Sequence, residues 1–200
     1  MSLSLTPSSH TNNSTFFAKE NNVAMLNPLS SDLDVLRQTL LFSGLEAIAY
    51  NQNRKRSNVK FYEFGKSYHQ TIKQETGEKF YTEKNHLAIF LVGKKESESW
   101  NSTTEAISFF SLKAAVNIVL NRVGIDKMKE HFISNEIIST GLSYEVKQKS
   151  IVDFGIVSKS IAKKMDIKSE VFYADFDWDV IVKLAGSNSI LSPHLISLCN

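Results

Sequence analysis

The sequence predicts an α+β fold, a mostly antiparallel sheet flanked by helices, and three observations carry that prediction. Runs of strand length, rich in aromatic and β-branched residues, are joined by polar loops of hairpin length. Two longer stretches with apolar residues at steps of three and four sit between groups of those strands. No strand runs into a glycine-rich phosphate loop, which argues against Rossmann and P-loop architectures.

Taken in order, Met1-Ser2-Leu3 reads as a cloning leader and Ser4 to Ser14 is rich in Ser, Thr and Asn. Residues 1–26 are therefore expected to be a leader and a poorly ordered segment. At Asn27-Pro28-Leu29-Ser30-Ser31-Asp32 a proline precedes good N-cap residues. Leu33, Leu36, Leu40, Leu41, Leu45, Ile48 and Ala49 then share one helical face, which predicts a helix over Ser31–Asn53. Gly44 within it costs about 1 kcal/mol against alanine and is accounted for if it permits close packing. Arg54-Lys55-Arg56-Ser57-Asn58 reads as a basic, solvated turn.

Val59–His69, with Phe61, Tyr62, Phe64 and Tyr68, predicts a strand. Lys73–Asn85 is polar and predicts a hairpin loop, followed by a buried strand over His86–Val92. A second helix is expected over Ser108–Val123, with Gly124 at its C-terminal end. Short strands follow at Phe132–Ile138, Tyr144–Gln148, Ile151–Val157 and Val171–Phe176, with a short helix over Ser160–Met165. A last amphipathic helix starts near Asp177, whose carboxylate is placed to cap it, and stops by Gly186. Val59–His69, His86–Val92 and Val171–Phe176 are expected in one sheet, with the first helix on one face.

Composition narrows the function. Lysine and arginine total 23 against 21 acids, a net charge of +2, which gives no global case for nucleic-acid binding. The single cysteine, Cys199, cannot form an internal disulfide, and no apolar run reaches the roughly 20 residues of a membrane helix. A cytoplasmic location without membrane contact is the expectation.

The five histidines, His10, His69, His86, His131 and His194, form no helical metal pair, and His69 and His86 are expected at the surface or at an interface. Asp175, Asp177 and Asp179 alternate with Phe176 and Trp178, but lack the glycine and glutamate of a calcium loop, so no metal is expected. Glu63 is an acid inside an apolar strand. If it points inward it needs a partner, Lys66 or an arginine, because unpaired burial costs several kcal/mol. Arg54-Lys55-Arg56 and Lys159–Lys168 are the candidates for phosphate contact.

Asn27-Pro28-Leu29-Ser30, Leu36-Arg37, Leu40-Leu41, Gly44-Leu45, Asn51 and the strand Val59–His69 with Glu63-Phe64-Gly65 follow one another in a recognisable order. This pattern resembles the β chain of bacterial phenylalanine–tRNA ligase, in its synthetase-like core domain. Phe154-Gly155-Ile156-Val157 through Asp166-Ile167-Lys168 to Val171–Phe176 is similar to the closing segment of that domain. The family often has His-Pro where Ser158-Lys159 stand here. The resemblance implies the fold of a class II aminoacyl-tRNA synthetase catalytic domain. It also implies an α subunit as partner in a two-α, two-β heterotetramer that charges tRNA with phenylalanine, using ATP and magnesium. The chain would then be a fragment, with residues 27–186 as the core and 187–200 as a linker or tail.

The same resemblance speaks against chemistry in this chain. Class II catalytic domains hold the ATP phosphate with an arginine on the second-motif strand, and His69 stands at roughly that place. A mostly neutral imidazole cannot form the guanidinium fork. The stretch similar to the third motif, Ala174–Ile181, has no glycine run and carries three carboxylates, and no arginine follows Arg122. The expected function is a non-catalytic structural partner of the α subunit, with no catalytic, cofactor or metal residue of its own. Arg54, Lys55 and Arg56 are then the candidates for tRNA phosphate contact, and His69 marks the degenerate active-site position. The alternative is an autonomous RNA-binding or small-molecule-binding module on the same fold.

Overall fold

The computed structural model describes residues 4–11, 16–28, 30, 33–73, 77–95 and 105–187. Short strands β1 (Leu5–Thr6), β2 (Val23–Ala24) and β3 (Val35–Leu36) precede helix α1 (Leu41–Asn53). The long hairpin β4 (Val59–Ile72) and β5 (Lys79–Val92) leads to helix α2 (Phe109–Arg122). Strands β6 (Lys129–Ile133), β7 (Ile138–Val146) and β8 (Lys149–Val157) follow, then α3 (Lys159–Lys164), β9 (Phe172–Asp177) and α4 (Trp178–Ser187).

Six strands form one antiparallel sheet in the order β4-β5-β9-β8-β7-β6. The three strands expected together are therefore adjacent, with β9 inserted between β5 and β8. Each face of the sheet has its own core. Leu40, Leu41, Leu45 and Ile48 pack with Phe90 and Tyr173 on one side, while Leu112, Val116, Leu120, Phe154 and Phe176 pack on the other. Gly44 does admit close packing, since a Cβ there would collide with the Phe90 ring.

The first helix is ten residues shorter than the apolar spacing predicts, and this is the largest difference in the fold. Among the described residues of that stretch, Val35–Leu36 is a strand that pairs with β1 and β2 in a three-stranded sheet. Arg37 N–H donates to the Ser4 carbonyl (2.9 Å), and Tyr68 N–H donates to the Arg37 carbonyl (2.9 Å). Long-range partners for an extended backbone override the local helical pattern. Helix α1 starts only after Thr39, whose hydroxyl accepts the Leu41 N–H at 3.1 Å.

Part of the stretch read as a leader is also structured. It supplies β1 and β2, and Phe17 is buried in the core, edge-on to Phe42. Polar composition did not prevent ordering, because one aromatic anchor and a strand partner suffice to hold it. The tail beyond 187, with His194 and Cys199, lies outside the described residues. The hairpin loop is shorter than expected, as β5 begins at Lys79 rather than His86. The expected strand Phe132–Ile138 is broken by a turn in which the Asn135 side chain accepts the Ile137 and Ile138 N–H groups.

Helices α1, α2 and α3 end alike. In α1, Lys55 N–H reaches the Gln52 carbonyl (2.9 Å) and Arg56 N–H the Asn51 carbonyl (3.0 Å), with Lys55 left-handed at φ 62. This is a Schellman cap. Gly124 and Asp166 occupy the same left-handed position after α2 and α3.

Candidate functional site

Sheet register assembles one polar field. Gly65 lies opposite His86, Ser67 opposite Lys84, His86 opposite Asp177 and Ala88 opposite Asp175. With a period of two, Glu63, Ser67, His69, Lys84, His86, Asp175 and Asp177 therefore share one face of β4, β5 and β9. The segment Arg37–Thr39, which follows β3, lies against that face through Arg37.

Arg37 is the organising cation. Its Nη1 lies 2.6 Å from Glu63 Oε1, and its Nε donates to the Lys66 carbonyl at 2.9 Å. A Cβ at Gly65 would meet the guanidinium, so this glycine opens the path along which Arg37 crosses the strand. Glu63 thus has the arginine it was expected to need, and Lys66 instead pairs with Glu83 at the surface.

Next to this pair runs a second network. His86 Nδ1 lies 2.8 Å from Asp175 Oδ1, and its Nε2 lies 2.9 Å from Ser67 Oγ. Ser67 Oγ is also 3.3 Å from His69 Nε2. Burial works against the His86 imidazolium, but the hydrogen bond and charge of Asp175, with Asp177, outweigh it and raise its pKa. His69 moves the other way, lowered by burial, with Lys84 and His86 adding to the effect. The two histidines expected at the surface or an interface are therefore half-buried members of one network.

Aspartate, histidine and serine in this order have the geometry of an activated nucleophile. Ser67, however, has no exposed surface, so its hydroxyl braces two imidazoles rather than meeting a substrate. The three carboxylates of β9 and α4 are each engaged separately. Asp175 bonds His86, Asp177 Oδ1 accepts the Val180 N–H and caps α4 as expected, and Asp179 accepts from Asn85. Among the described residues no group of three or more His, Cys, Asp or Glu comes together in a metal-binding arrangement.

Arg54, Lys55 and Arg56 lie away from this field, at the C-terminal cap of α1. Arg54 stacks over the Tyr50 ring at 3.5 Å, and all three residues are exposed. Cations there also favour the negative end of the helix dipole. His69 lines a cavity together with His86, Lys84, Tyr173 and Asp175. The Tyr173 hydroxyl is buried beside Thr39 and Asp175. Sequence reasoning missed Arg37, Ser67, Lys84 and Tyr173 as members of the site. Arg37 lies in a segment that reads as helix, and Ser67, Lys84 and Tyr173 are ordinary strand residues until the register places them on one face.

The family model for the phenylalanyl-tRNA synthetase beta chain CLM domain matches residues 1–178. The chain belongs to that family. The match starts at residue 1, in keeping with the packing of β1 and Phe17 into the fold. The phenylalanine–tRNA ligase beta subunit of Bacteroides fragilis is 41% identical over 173 residues, which cover 84% of this chain and 21% of that protein. The Bacteroides thetaiotaomicron beta subunit is also 41% identical, over 174 residues, and that of Porphyromonas gingivalis is 34% identical over 170. The chain spans about a fifth of the length of the curated relatives it matches. In structure it is similar to pyrrolysyl-tRNA synthetase from Desulfitobacterium hafniense, with a TM-score of 0.69 at 11% identity, covering 94% of this chain and 62% of that one. The CLM domain therefore has a class II synthetase fold, mostly antiparallel as the sequence predicts.

The opposed histidines of this CLM domain give a test with a definite sign. Because folding raises His86, its stabilising contribution is complete below the unfolded value of about 6.5 and fades as pH rises through the folded value. His69, lowered by folding, costs stability as pH falls below about 6.5. Asp175→Asn leaves the burial in place and removes the charge. The His86 ring, followed by NMR, should then titrate below the ordinary value instead of above it. An unchanged His86 titration would show that Asp175 does not set it.

Proposed function

We propose that this chain is the non-catalytic, synthetase-like core of a phenylalanine–tRNA ligase beta subunit, a structural partner of the catalytic α subunit. The observation that carries this is the state of the arginines. His69 occupies the strand position where the resemblance implies a phosphate-binding arginine. Arg37, the arginine of the polar field, is 5% exposed and held by Glu63 and the Lys66 carbonyl. Asp175, Asp177 and Asp179 add negative charge where a triphosphate would bring more. Removing one preorganised charge-stabilising group commonly costs about a hundredfold or more in rate, and the arginine of this field, Arg37, is already engaged by Glu63. ATP and magnesium then belong to the whole ligase, in the cytoplasm, and not to this chain.

Two measurements test the reading together. The full chain alone should show no phenylalanine-dependent pyrophosphate exchange, and when co-expressed with an α subunit it should co-elute with it in size-exclusion chromatography. Robust exchange by the chain alone, abolished by His69→Ala, would overturn the proposal, as would failure to associate with the α subunit.

For tRNA, Arg54, Lys55 and Arg56 are the proposed phosphate contacts, supported by their exposure at one helix end. Removing each of these cations from a phosphate should reduce the salt slope of tRNA binding by about 0.7 to 0.9. A triple alanine variant of the assembled ligase with an unchanged slope would reduce the cluster to a helix cap.

A further inference from the structure

The net charge of +2 is unevenly placed. Strand β4 begins at Val59, which pairs with Val92, and β9 begins at Phe172, which lies between Leu91 and Ile156. The segments that lead into β4 and β9, and the one that leaves β8, therefore meet at one end of the sheet. They carry Arg54-Lys55-Arg56 and, on and after α3, Lys159, Lys163, Lys164 and Lys168. Ile161, Ala162 and Ile167 pack into the same core as Leu45 and Ile48, so α1 and α3 lie on the same sheet face. Gln52 Nε2 donates to Ser169 Oγ at 2.6 Å and ties the end of α1 to the segment after α3. Two clusters far apart in sequence thus form one basic surface across two neighbouring helix caps.

The chain only partly offsets this charge. All seven cations are exposed, and none forms an ion pair among the described residues. The acids of the same segments are Asp166 and Glu170, while Glu136, which shares a cavity with Lys164, accepts the Phe16 N–H. Helix electrostatics does not account for the arrangement. Lys163 and Lys164 suit the last turn of α3, but Lys159 opens that helix, where a cation meets the positive end of the dipole. Lys159 and Lys163 also stand four residues apart, a spacing at which like charges on a helix repel. Such a placement costs local stability and is relieved by a polyanion.

We propose that Lys159, Lys163, Lys164 and Lys168 join Arg54, Lys55 and Arg56 in one surface that binds the phosphate backbone of duplex RNA. The proposal extends the tRNA contacts assigned above to Arg54, Lys55 and Arg56, and rests on that reading. Ser158 and Ser160 flank Lys159 and add hydroxyl donors of the kind that phosphates accept. Residues 51–58 and 158–171 contain no aromatic side chain on which an unstacked base could sit, which favours a duplex over a single strand. Ile161, Ala162 and Ile167 face the core, so α3 has no apolar face to insert into a membrane.

The test is the salt dependence of binding between the full chain and a fluorescent RNA duplex, with an unstructured single strand of equal length and polyglutamate as comparisons. The duplex should bind more tightly than either. Replacing the four lysines by glutamine should lower the slope of log K against log salt by about 3, and replacing Arg54, Lys55 and Arg56 by alanine should lower it by about 2. Lys159→Glu keeps the test intact should the fourfold variant fail to fold. A glutamate in the first turn of α3 suits the dipole, so stability in urea should not fall, while the slope should drop by at least about 0.7. An unchanged slope in the fourfold variant or in Lys159→Glu would overturn the joint surface and leave the contacts of Arg54, Lys55 and Arg56 standing. An unchanged slope on removal of those three would overturn both. Equal or tighter binding of the single strand or of polyglutamate would assign the surface to another partner and overturn the proposal.

Discussion

Replacing Arg37 by alanine is expected to destabilise the chain by about 3–5 kcal/mol, the usual cost of breaking a buried ion pair from one side. The side chains of Arg37 and Glu63 are 5% and 15% exposed, with 2.6 Å between Nη1 and Oε1. Truncating Arg37 removes its ion pair from the Glu63 carboxylate on a covered sheet face and its hydrogen bond from the Lys66 carbonyl, while the backbone bonds from Arg37 to Ser4 and Tyr68 stay available. The loss should appear as a lower urea midpoint at unchanged slope. Lys66→Ala is the control. The Lys66–Glu83 pair has a comparable 2.8 Å separation, but its side chains are about half exposed, and solvent screening leaves such a pair little net effect on stability. The double variant Arg37→Met, Glu63→Leu removes both charges and should recover most of the stability. If Arg37→Ala costs no more than Lys66→Ala, the Arg37–Glu63 pair does not organise the site.

What could be seen in the sequence follows a physical division between local and distant causes. Strands β8 and β9 and helix α2 were legible to within two or three residues because each carries its own pattern and stops. Ser108 and Ser111 cap α2 at one end, and Gly124 turns the chain at the other. The sheet neighbours β4, β5 and β9 followed from aromatic and β-branched runs, and from a family pattern that covers most of the chain. Hidden features depend on residues far apart. The extended Val35–Arg37 segment is held by Ser4 and Tyr68, and no window around Leu36 contains either. The outer hairpin, Lys79–Asn85, looked like loop because it is polar, but it pairs residue by residue with Lys66–Ile72. In the site, Glu63 announced itself as an acid among aromatics, and the arginine it required came from a segment read as helix. Lys84 and Tyr173 gave no such notice, since a lysine and a tyrosine on strands are ordinary until the register places them around one cavity.

The same contrast sets the last large effect, at Leu40. A helix over Ser31–Asn53 would place Leu33, Leu36 and Leu40 on one stripe and make their truncation similarly costly. The structure separates them. Leu40 is fully buried at the start of α1, within the cluster formed with Leu41, Leu45, Ile48 and Phe90. Leu36 sits on β3, where its neighbours Val35 and Arg37 point inward and Leu36 itself is only half-buried. Leu40→Ala should therefore cost about 2–5 kcal/mol, transfer and cavity terms together. Leu36→Ala should cost about half that or less, because the burial energy it forfeits scales with the smaller area it removes from water. The two variants, compared by urea unfolding of the full chain, distinguish a strand from a helix at this point. Equal losses at Leu36 and Leu40 would restore the continuous apolar stripe, and a loss at Leu40 below about 0.5 kcal/mol would place α1 on the surface instead of over the sheet.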